Sequence, residues 1–236
     1  MWITSDVNLP EEVLRAYAEH RLVIFAGAGV SAASPSNLPM FDALADTIGA
    51  EVALSRGDVS PDVFLGRAAA TTGADVHARV HDLISSPTSK PNRLHRTLAQ
   101  LALRGLEPRL VTTNYDRHLS RCITRVRPRI AEFQAPALPL GDNFTGLVYL
   151  HGTLTQDPGQ LIVTDADFGR AYLAQAWATR FLHGMFSTYV VLFVGYSHRD
   201  TIMTYLARGL PAGAERYVLT DQPDSADCPV LNGIPI

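Results

Sequence analysis

The sequence predicts an α/β fold in which helices cover both faces of a parallel sheet. One observation is the run Leu22-Val23-Ile24-Phe25, because apolar residues with a β-branched centre are typical of a strand buried on both sides. A second is the glycine turn Gly27-Ala28-Gly29 directly after that strand. A third is the recurrence of apolar runs that end in polar or small residues. Ligands of such folds bind outside the carboxyl ends of the strands, so the sequence predicts one crevice at that edge.

The glycine turn is a candidate phosphate site. Glycines let the backbone approach a ligand closely, and N–H groups at the start of a following helix can hold an anion without a cationic side chain. Gly27, Ala28, Gly29 and Ser31 are therefore candidate binding residues. A tight turn without a ligand is the alternative, since the third glycine of the dinucleotide-binding pattern G-x-G-x-x-G is missing.

Composition places bounds on the class of protein. A chain of 236 residues suits one α/β domain, and a net charge of −3 gives no general attraction to nucleic acid or to an anionic membrane. The two cysteines, Cys122 and Cys228, lie far apart, which excludes a disulfide scaffold and a zinc site of four cysteines. The start of the sequence is unlike a signal peptide, and every apolar run is too short to span a bilayer. We therefore expect a cytoplasmic protein.

The helical segments follow from apolar spacing and from glycine and proline positions. We expect helices over Leu9–His20, over Phe41–Ile48 with Gly49 as the stop, and over Leu94–Leu103. Residues from about 50 to 92 contain short helical pieces without a strand-like run, which predicts a small helical insertion.

Two groups of charged or titratable side chains lie on predicted helices. His77 and His81 share one helix face, and because no third ligand accompanies them we expect a solvated face rather than a metal site. Arg117, Arg121 and Arg125 form a basic face that we expect to be solvated or to meet a partner protein. Nucleic-acid contact is the weaker alternative for these arginines.

Four further strands are predicted at Arg109–Thr113, Gly146–Leu150, Tyr189–Val194 and Arg216–Leu219. They lead into Asn114 and Asp116, into His151, into Gly195 and Ser197, and into Asp221, respectively. Helix capping is an alternative role for Asn114, Asp116 and Ser197, and His151 could be a hydrogen-bonded histidine at a strand end. Capping gives no reason for a histidine before Gly152, where no helix follows at once.

Five motifs in order resemble those of the sirtuin family. They are Gly27-Ala28-Gly29-Val30-Ser31, Leu38-Pro39-Met40-Phe41, Thr112-Thr113-Asn114-Tyr115-Asp116, His151-Gly152 and Val194-Gly195-Tyr196-Ser197, and they are similar to G-A-G-x-S, G-I-P-x-F-R, T-Q-N-x-D, H-G and G-x-S of that family. The resemblance covers nearly the whole chain. It implies a single Rossmann-like domain over residues 1–236 that binds NAD.

Departures from the family pattern indicate which type of sirtuin-like domain the chain resembles. Deacylating sirtuins carry two C-x-x-C pairs after the H-G motif, whereas no cysteine follows Gly152 until Cys228. The family arginine is Asp42 here and the family glutamine is Thr113. The chain therefore looks more like the zinc-free sirtuin-like domains of bacterial antiphage defence proteins, which destroy NAD. This resemblance implies that the chain is the N-terminal part of a larger protein or complex. It also implies either a homo-oligomer or an association with a sensor domain or sensor protein.

The resemblance also implies roles for individual residues in hydrolysing NAD to nicotinamide and ADP-ribose. Asn114 would position water or the ribose, Asp116 would support the pocket, and His151 would orient ribose hydroxyls or act as a base. Cofactor contacts are expected from Gly27, Ala28, Gly29 and Ser31 at the pyrophosphate, from Ser197 and Asp221 at the adenosine, from Phe41 over the nicotinamide, and from Thr113 and Gly195. A protein deacylase or ADP-ribosyltransferase, and a silent NAD or ADP-ribose sensing module, are the alternatives.

Overall fold

Six parallel strands form one sheet in the structure, a computed structural model that describes residues 9–105, 107–196 and 215–219. In chain order the strands are β1 (Leu22–Ala26), β2 (Arg109–Thr112), β3 (Glu132–Gln134), β4 (Gly146–Tyr149), β5 (Val190–Val194) and β6 (Arg216–Leu219). The spatial order is β3-β4-β2-β1-β5-β6. The predicted α/β class with a parallel, Rossmann-like sheet is confirmed.

Strand β1 lies at the centre because its whole length is apolar. It pairs with β2 through Ile24 and Leu110, and with β5 through the full register from Leu22 opposite Val190 to Ala26 opposite Val194. Connections lead to opposite sides of β1, so the order of the sheet reverses beside it. In open α/β sheets this switch point is where the loops separate and leave a crevice.

Helices cover both faces of the sheet, as predicted. Alternate residues of β1 point to opposite sides, so Val23 and Phe25 belong to one core and Ile24 and Ala26 to the other. The second core is closed by α1 (Glu11–Ala18), α5 (Arg93–Arg104) and α6 (His118–Thr124). The first is closed by α7 (Asp165–Gly169), by the π-helical turn Arg170–Ala174 and by α8 (Trp177–Thr188).

A third core belongs to the helical insertion. It is built by α2 (Phe41–Glu51), α3 (Pro61–Thr72) and α4 (Val76–Ile84), with Phe64 and Leu65 completely buried among them. The same cluster includes Leu38, Tyr115, Leu161 and Val163. These residues of the Rossmann-like part join the insertion to the sheet, so the insertion forms one wall of the crevice.

Several predicted boundaries are wrong. Helix α2 continues through Gly49 to Glu51, because Gly49 is buried where a Cβ atom would lie 2.7 Å from the Leu54 carbonyl oxygen and 2.9 Å from the Phe64 ring. Gly49 is required for the packing of α2 against α3 and does not end the helix. Helix α1 is shorter at both ends than predicted. Strand β3 was not predicted, since three residues with glutamate and glutamine give no apolar run.

The histidine face of α4 is also different from the prediction. His77 Nε2 lies 2.7 Å from Asp167 Oδ2, and His81 Nε2 lies 3.3 Å from the Leu154 carbonyl oxygen. Both side chains are thus half-buried against the segment that follows β4, rather than on a fully solvated face. Among the described residues, no group of three or more His, Cys, Asp or Glu side chains is placed to hold a metal ion.

The predicted arginine face is divided. Arg117 donates to Ser120 Oγ at 3.0 Å and to Glu132 Oε2 of β3 at 3.1 Å, whereas Arg121 and Arg125 are exposed. Arg117 therefore ties the start of α6 to the edge strand. Within the described part of the chain, no helix is both long and apolar enough to cross a membrane.

Candidate functional site

A cavity of about 530 Å³ opens at the carboxyl ends of the strands, between the glycine turn and the helical insertion. Volumes of a few hundred cubic ångströms are typical of sites for small molecules and cofactors. Its lining brings together eight of the residues predicted from the sequence: Ala28, Ser31, Phe41, Thr113, Asn114, Asp116, His151 and Gly195. The predicted convergence of strand ends on one crevice is therefore present in the fold.

Gly27 and Gly29 do not line this cavity but build its floor. Gly27 N–H donates to the Val194 carbonyl oxygen at 2.9 Å and Gly29 N–H to the Gly195 carbonyl oxygen at 2.8 Å. A Cβ atom on Gly27 or Gly29 would lie 2.6 or 2.9 Å from the Gly195 oxygen. Packing of the turn onto the end of β5 thus explains both glycines, independently of any phosphate.

Gly195 is constrained in the same way from the other side. It has φ +64°, a conformation that side chains rarely adopt, and a Cβ atom there would lie 2.4 Å from the Val30 amide nitrogen. The short 3₁₀ helix Ala28–Ser31 follows the turn and presents Ala28 and Ser31 to the cavity. Glycines directly after β1 and after β5 thus let the two turns pack against each other beside the cavity.

Asn114 has an orientation that its neighbours dictate. Its Nδ2 donates to the Gly27 carbonyl oxygen at 3.1 Å and to Ser31 Oγ at 3.2 Å. A carbonyl oxygen can only accept, so the amide nitrogen must face Gly27. Asn114 Oδ1 is buried and has no hydrogen-bond partner among the described residues. A buried acceptor without a donor is costly, which marks this oxygen as a place where a water or ligand hydroxyl would be stabilised.

Asp116 lies behind Asn114 in a buried polar cluster. Its Oδ2 accepts from Ser31 Oγ at 2.7 Å, and its Oδ1 accepts from the His118 amide at 2.9 Å, at the start of α6. The N-cap residue of α6 is Arg117, so Asp116 bonds to the helix start from one position ahead of the cap, and the capping alternative does not describe it. Because Asp116 fixes Ser31, and Ser31 accepts from Asn114, the carboxylate acts on the cavity through its neighbours.

His95 completes this cluster, although the sequence did not single it out. It is fully buried, and its Nε2 lies 3.0 Å from Ser31 Oγ. Since the single hydroxyl proton of Ser31 goes to Asp116, His95 Nε2 must be the donor in this contact. Its Nδ1 accepts from the Asn92 amide at 3.2 Å, at the cap of α5. Burial lowers the pKa of His95 to about 4, with Asp116 opposing the shift, so the ring is neutral at pH 7.

His151 faces the cavity from the end of β4. Its ring is 5% exposed, its Nε2 lies 2.8 Å from Tyr172 Oη, and the edge of the ring meets Phe168 at a centroid distance of 5.1 Å. Gly152 follows with φ +89°, so the chain turns sharply once His151 has been delivered. Phe168 also lines the cavity.

Arg56 and several carboxylates form the outer wall on the insertion side. Arg56 Nε donates to Asp46 Oδ1 at 2.8 Å, its Nη1 lies 3.1 Å from Asp42 Oδ1, and the hydrogen bond with Asp46 raises the pKa of the guanidinium. Asp42 thus stands where the sirtuin motif has arginine and holds an arginine that comes from a later loop. Among the described lining residues Arg56 is the one lysine or arginine, against four carboxylates, Asp42, Asp58, Asp62 and Asp116.

The remaining predicted residues have different outcomes. Ser197 and Asp221 lie outside the described residues. Thr113 and Phe41 reach the cavity, Phe41 from the first residue of α2. His95 and Tyr172 were missed because their contacts join segments far apart in the sequence, and Arg56 was missed because it lies in a loop without a recognisable pattern. Asn92, three residues before His95 and just ahead of an apolar helix, was a capping signal that could have drawn attention to His95.

Comparison with known proteins agrees with this geometry. An uncharacterized protein, y4cA, of Sinorhizobium fredii (strain NBRC 101917 / NGR234) is 28% identical over 233 residues, which cover 89% of this chain and 19% of that protein. The chain thus spans about a fifth of the length of this relative. The sequence model of the family described as SIR2-like domain matches residues 108–231, which is more than half of the chain and contains Asn114, Asp116 and His151. The chain belongs to the SIR2-like domain family, whose association with NAD-related activity agrees with the predicted cofactor.

Proposed function

We propose that the chain is an NAD glycohydrolase, which cleaves NAD with water to give nicotinamide, ADP-ribose and a proton. The C1′–N bond between ribose and nicotinamide breaks, and the oxygen of water forms the new bond to C1′. One observation carries the proposal: in the wall of a cavity that also contains His151, Asn114 Oδ1 is a buried acceptor for which the described part of the chain provides no donor. An ordered water or a ribose hydroxyl would satisfy that oxygen.

The charge of the cavity supports cleavage of a cationic substrate. Nicotinamide leaves from a pyridinium, and the transition state carries positive charge on the ribose. The described lining has four carboxylates, and its one cation, Arg56, is already paired with Asp42 and Asp46. Among these carboxylates Asp116 is the buried one, and a preorganised charge of opposite sign stabilises developing charge without reorganisation. An acidic cavity is thus suited to an oxocarbenium-like ribose.

The polar residues would divide the chemistry as follows. Asn114 would position the attacking water or hold a ribose hydroxyl, while Asp116 keeps Ser31 and Asn114 in place. His151 would orient the ribose hydroxyls or accept the proton that the water loses. Ala28 and Ser31, which line the cavity after the glycine turn, would contact the pyrophosphate, whereas the N–H groups of Gly27 and Gly29 already donate to the end of β5 and would only shape the turn. No covalent intermediate is needed, because nicotinamide is already a good leaving group.

Nicotinamide release in the presence of NAD tests this proposal. We expect release that is the same with and without an acetyl-lysine peptide. Release that depends on the peptide would identify a deacylase, and NAD binding without release would identify a sensing module. The same run with Asn114→Ala shows whether the release comes from this cavity.

We propose further that the activity serves as the effector of a bacterial antiphage defence system, in the cytoplasm, within a homo-oligomer or a complex with a sensor. The support is the resemblance to zinc-free defence domains and the much greater length of the relative. Phage challenge of cells that carry the full-length gene tests the role. We expect cellular NAD to fall after infection with the wild-type gene and to stay constant with the Asn114→Ala gene. A constant NAD level in both would refute the effector role but not the chemistry.

A further inference from the structure

We propose that Tyr172 is the positioning residue of His151: its hydroxyl holds the imidazole in the orientation needed at the ribose. This rests on the proposed function only in giving His151 a part in turnover. Tyr172 does not belong to the cavity lining, so it would act through His151 and not on the substrate. None of the sequence motifs includes this residue.

The contact itself suits an acid–base histidine. Tyr172 Oη lies 2.8 Å from His151 Nε2, and both side chains are 5% exposed. A phenol hydroxyl is both donor and acceptor. For a ring that accepts a proton at Nδ1, Nε2 carries a proton in both the neutral and the protonated state, and the phenol oxygen accepts from Nε2–H in both. One partner thus keeps the ring in the same place while Nδ1 gains or loses the proton.

Aromatic packing fixes the geometry of this contact. The rings of Phe168 and Tyr172 are stacked at 5.9 Å, and the His151 ring meets both edge-on, at 5.1 and 6.0 Å. Phe168 lies at the cavity and Tyr172 behind it. The imidazole is therefore enclosed on two sides by aromatic rings, and the hydrogen bond with the Tyr172 hydroxyl fixes the direction in which Nε2 points.

The backbone that carries Tyr172 is anchored by one buried carboxylate. Asp167 Oδ2 accepts from the amides of Val163 (3.1 Å) and Thr164 (2.8 Å) and from Thr164 Oγ1 (2.8 Å). His77 Nε2 of the insertion contacts the same oxygen at 2.7 Å, and Arg170 donates to Oδ1. Asp167 is 2% exposed, and although burial by itself raises the pKa of the carboxyl, these hydrogen bonds hold that pKa far below its usual range. Tyr172 thus sits on a fixed support.

Kinetics of Tyr172→Phe provide the first test, with Tyr189→Phe as the matched control. Tyr189 belongs to the same core and also loses a buried hydroxyl contact, in its case with the Asp142 carbonyl oxygen at 3.0 Å. We expect Tyr172→Phe to lower kcat about tenfold with little change in KM, as for loss of one hydrogen bond worth about 1.4 kcal/mol. Tyr189→Phe should keep the wild-type kcat.

Epistasis separates positioning from a general structural effect. In a His151→Ala background, Tyr172→Phe should cause no further loss of kcat, because the proposed effect of the hydroxyl on turnover passes through His151. A tenfold loss in that background as well would overturn the proposal, as would an unchanged kcat for Tyr172→Phe alone.

Imidazole ¹⁵N spectra test the proposal without any activity. The His151 signals are assigned by their disappearance in His151→Ala. We expect Tyr172→Phe to shift the Nε2 resonance of His151 and to leave the other histidines unchanged, while Tyr189→Phe shifts none. Unchanged His151 signals in Tyr172→Phe would refute the positioning role even if NAD is hydrolysed. A shift in a protein that does not hydrolyse NAD would refute the proposed function and retain the role of Tyr172.

Discussion

Replacement of Asn114 by alanine gives the most informative test of the cavity. The change removes Oδ1, which would hold the water or ribose hydroxyl, and it removes the two contacts of Nδ2 with Gly27 and Ser31. The backbone contact of Asn114 N–H with Thr112 Oγ1 at 3.1 Å remains. The Gly27 carbonyl oxygen also keeps a donor, the Val30 amide at 3.1 Å. The variant therefore removes a functional atom with little damage to the turn.

The expected magnitudes differ clearly between activity and stability. Loss of one preorganised group that acts at the transition state typically costs about 100- to 1,000-fold in kcat. Loss of two side-chain contacts whose other partners stay satisfied costs about 1 kcal/mol of the free energy of unfolding. For a domain of this size that lowers Tm by about 2–4 °C. A fall in kcat of two decades with a small fall in Tm therefore indicates a catalytic role.

Gln156→Ala is the matched control for this experiment. Gln156 is also a half-buried carboxamide, and it bonds to the Ala135 carbonyl oxygen at 2.7 Å and to the Thr153 amide at 2.9 Å, outside the cavity lining. We expect a similar change in Tm and a kcat close to wild type. Calorimetry with NAD completes the test, because Asn114→Ala should still bind NAD through the turn. Wild-type hydrolysis by Asn114→Ala would refute the assignment of this residue.

The other predictions concern phosphate, pH and metal. Ala28→Asp should weaken NAD binding much more than its isostere Ala28→Asn, because only the first adds a negative charge at the predicted pyrophosphate site; equal affinities by calorimetry would count against that site. The folded protein keeps His95 neutral down to pH about 4, whereas the unfolded chain takes up a proton below about 6.5, so the free energy of unfolding should fall as the pH drops between these values. By urea unfolding, we expect His95 to lower the free energy of unfolding by about 2 kcal/mol at pH 5, and we expect a smaller fall in His95→Gln. Burial also lowers the pKa of His118, so the contribution of His118 to the pH dependence remains in the variant. Identical pH slopes in the two proteins would contradict the assignment to His95. Activity should persist after dialysis against a chelator, and elemental analysis should find no zinc; inactivation that added zinc reverses would show that a metal site was missed.

Features that depend on local pattern were predicted well from the sequence. Strands such as β1 and β5 are continuous apolar runs. Parallel pairing aligns the carboxyl ends of all the strands, and this was enough to bring Asn114, after β2, and His151, after β4, to one crevice. The His151-Gly152 pair was recognised because a histidine there had no capping role. These inferences need only residue types and the general geometry of parallel sheets.

Features that depend on distant contacts could not be predicted. The partner of His77 is Asp167, 90 residues later, so an exposed helix face and a partly buried hydrogen bond have the same local pattern. Gly49 had the sequence pattern of a helix stop, yet Phe64 packs where its side chain would be. Gly27 and Gly29 were interpreted through a phosphate, whereas the oxygen of Gly195 already accounts for them. In each case the role of the residue depends on which distant segments contact it, and only the tertiary fold contains that information.

Substitution of Gly29 is a poor test of phosphate binding, because this glycine packs on the Gly195 backbone. A Gly29→Val variant would place side-chain atoms against the Gly195 backbone, so lost NAD binding could simply follow from a displaced turn. Ala28, which already has a Cβ atom and lines the cavity, tolerates a change at the same place. The Asp and Asn variants of Ala28 differ in charge alone, which separates electrostatics from shape.

Product stoichiometry tests the central claim most directly. The protein is incubated with NAD alone, and nicotinamide, ADP-ribose and protein-bound ADP-ribose are quantified in the same samples over a range of protein concentrations. We predict one free ADP-ribose for each nicotinamide released, with a rate per chain that rises with concentration if assembly controls the enzyme. Release of nicotinamide without free ADP-ribose, or no release at any concentration, would contradict hydrolysis of NAD by this domain.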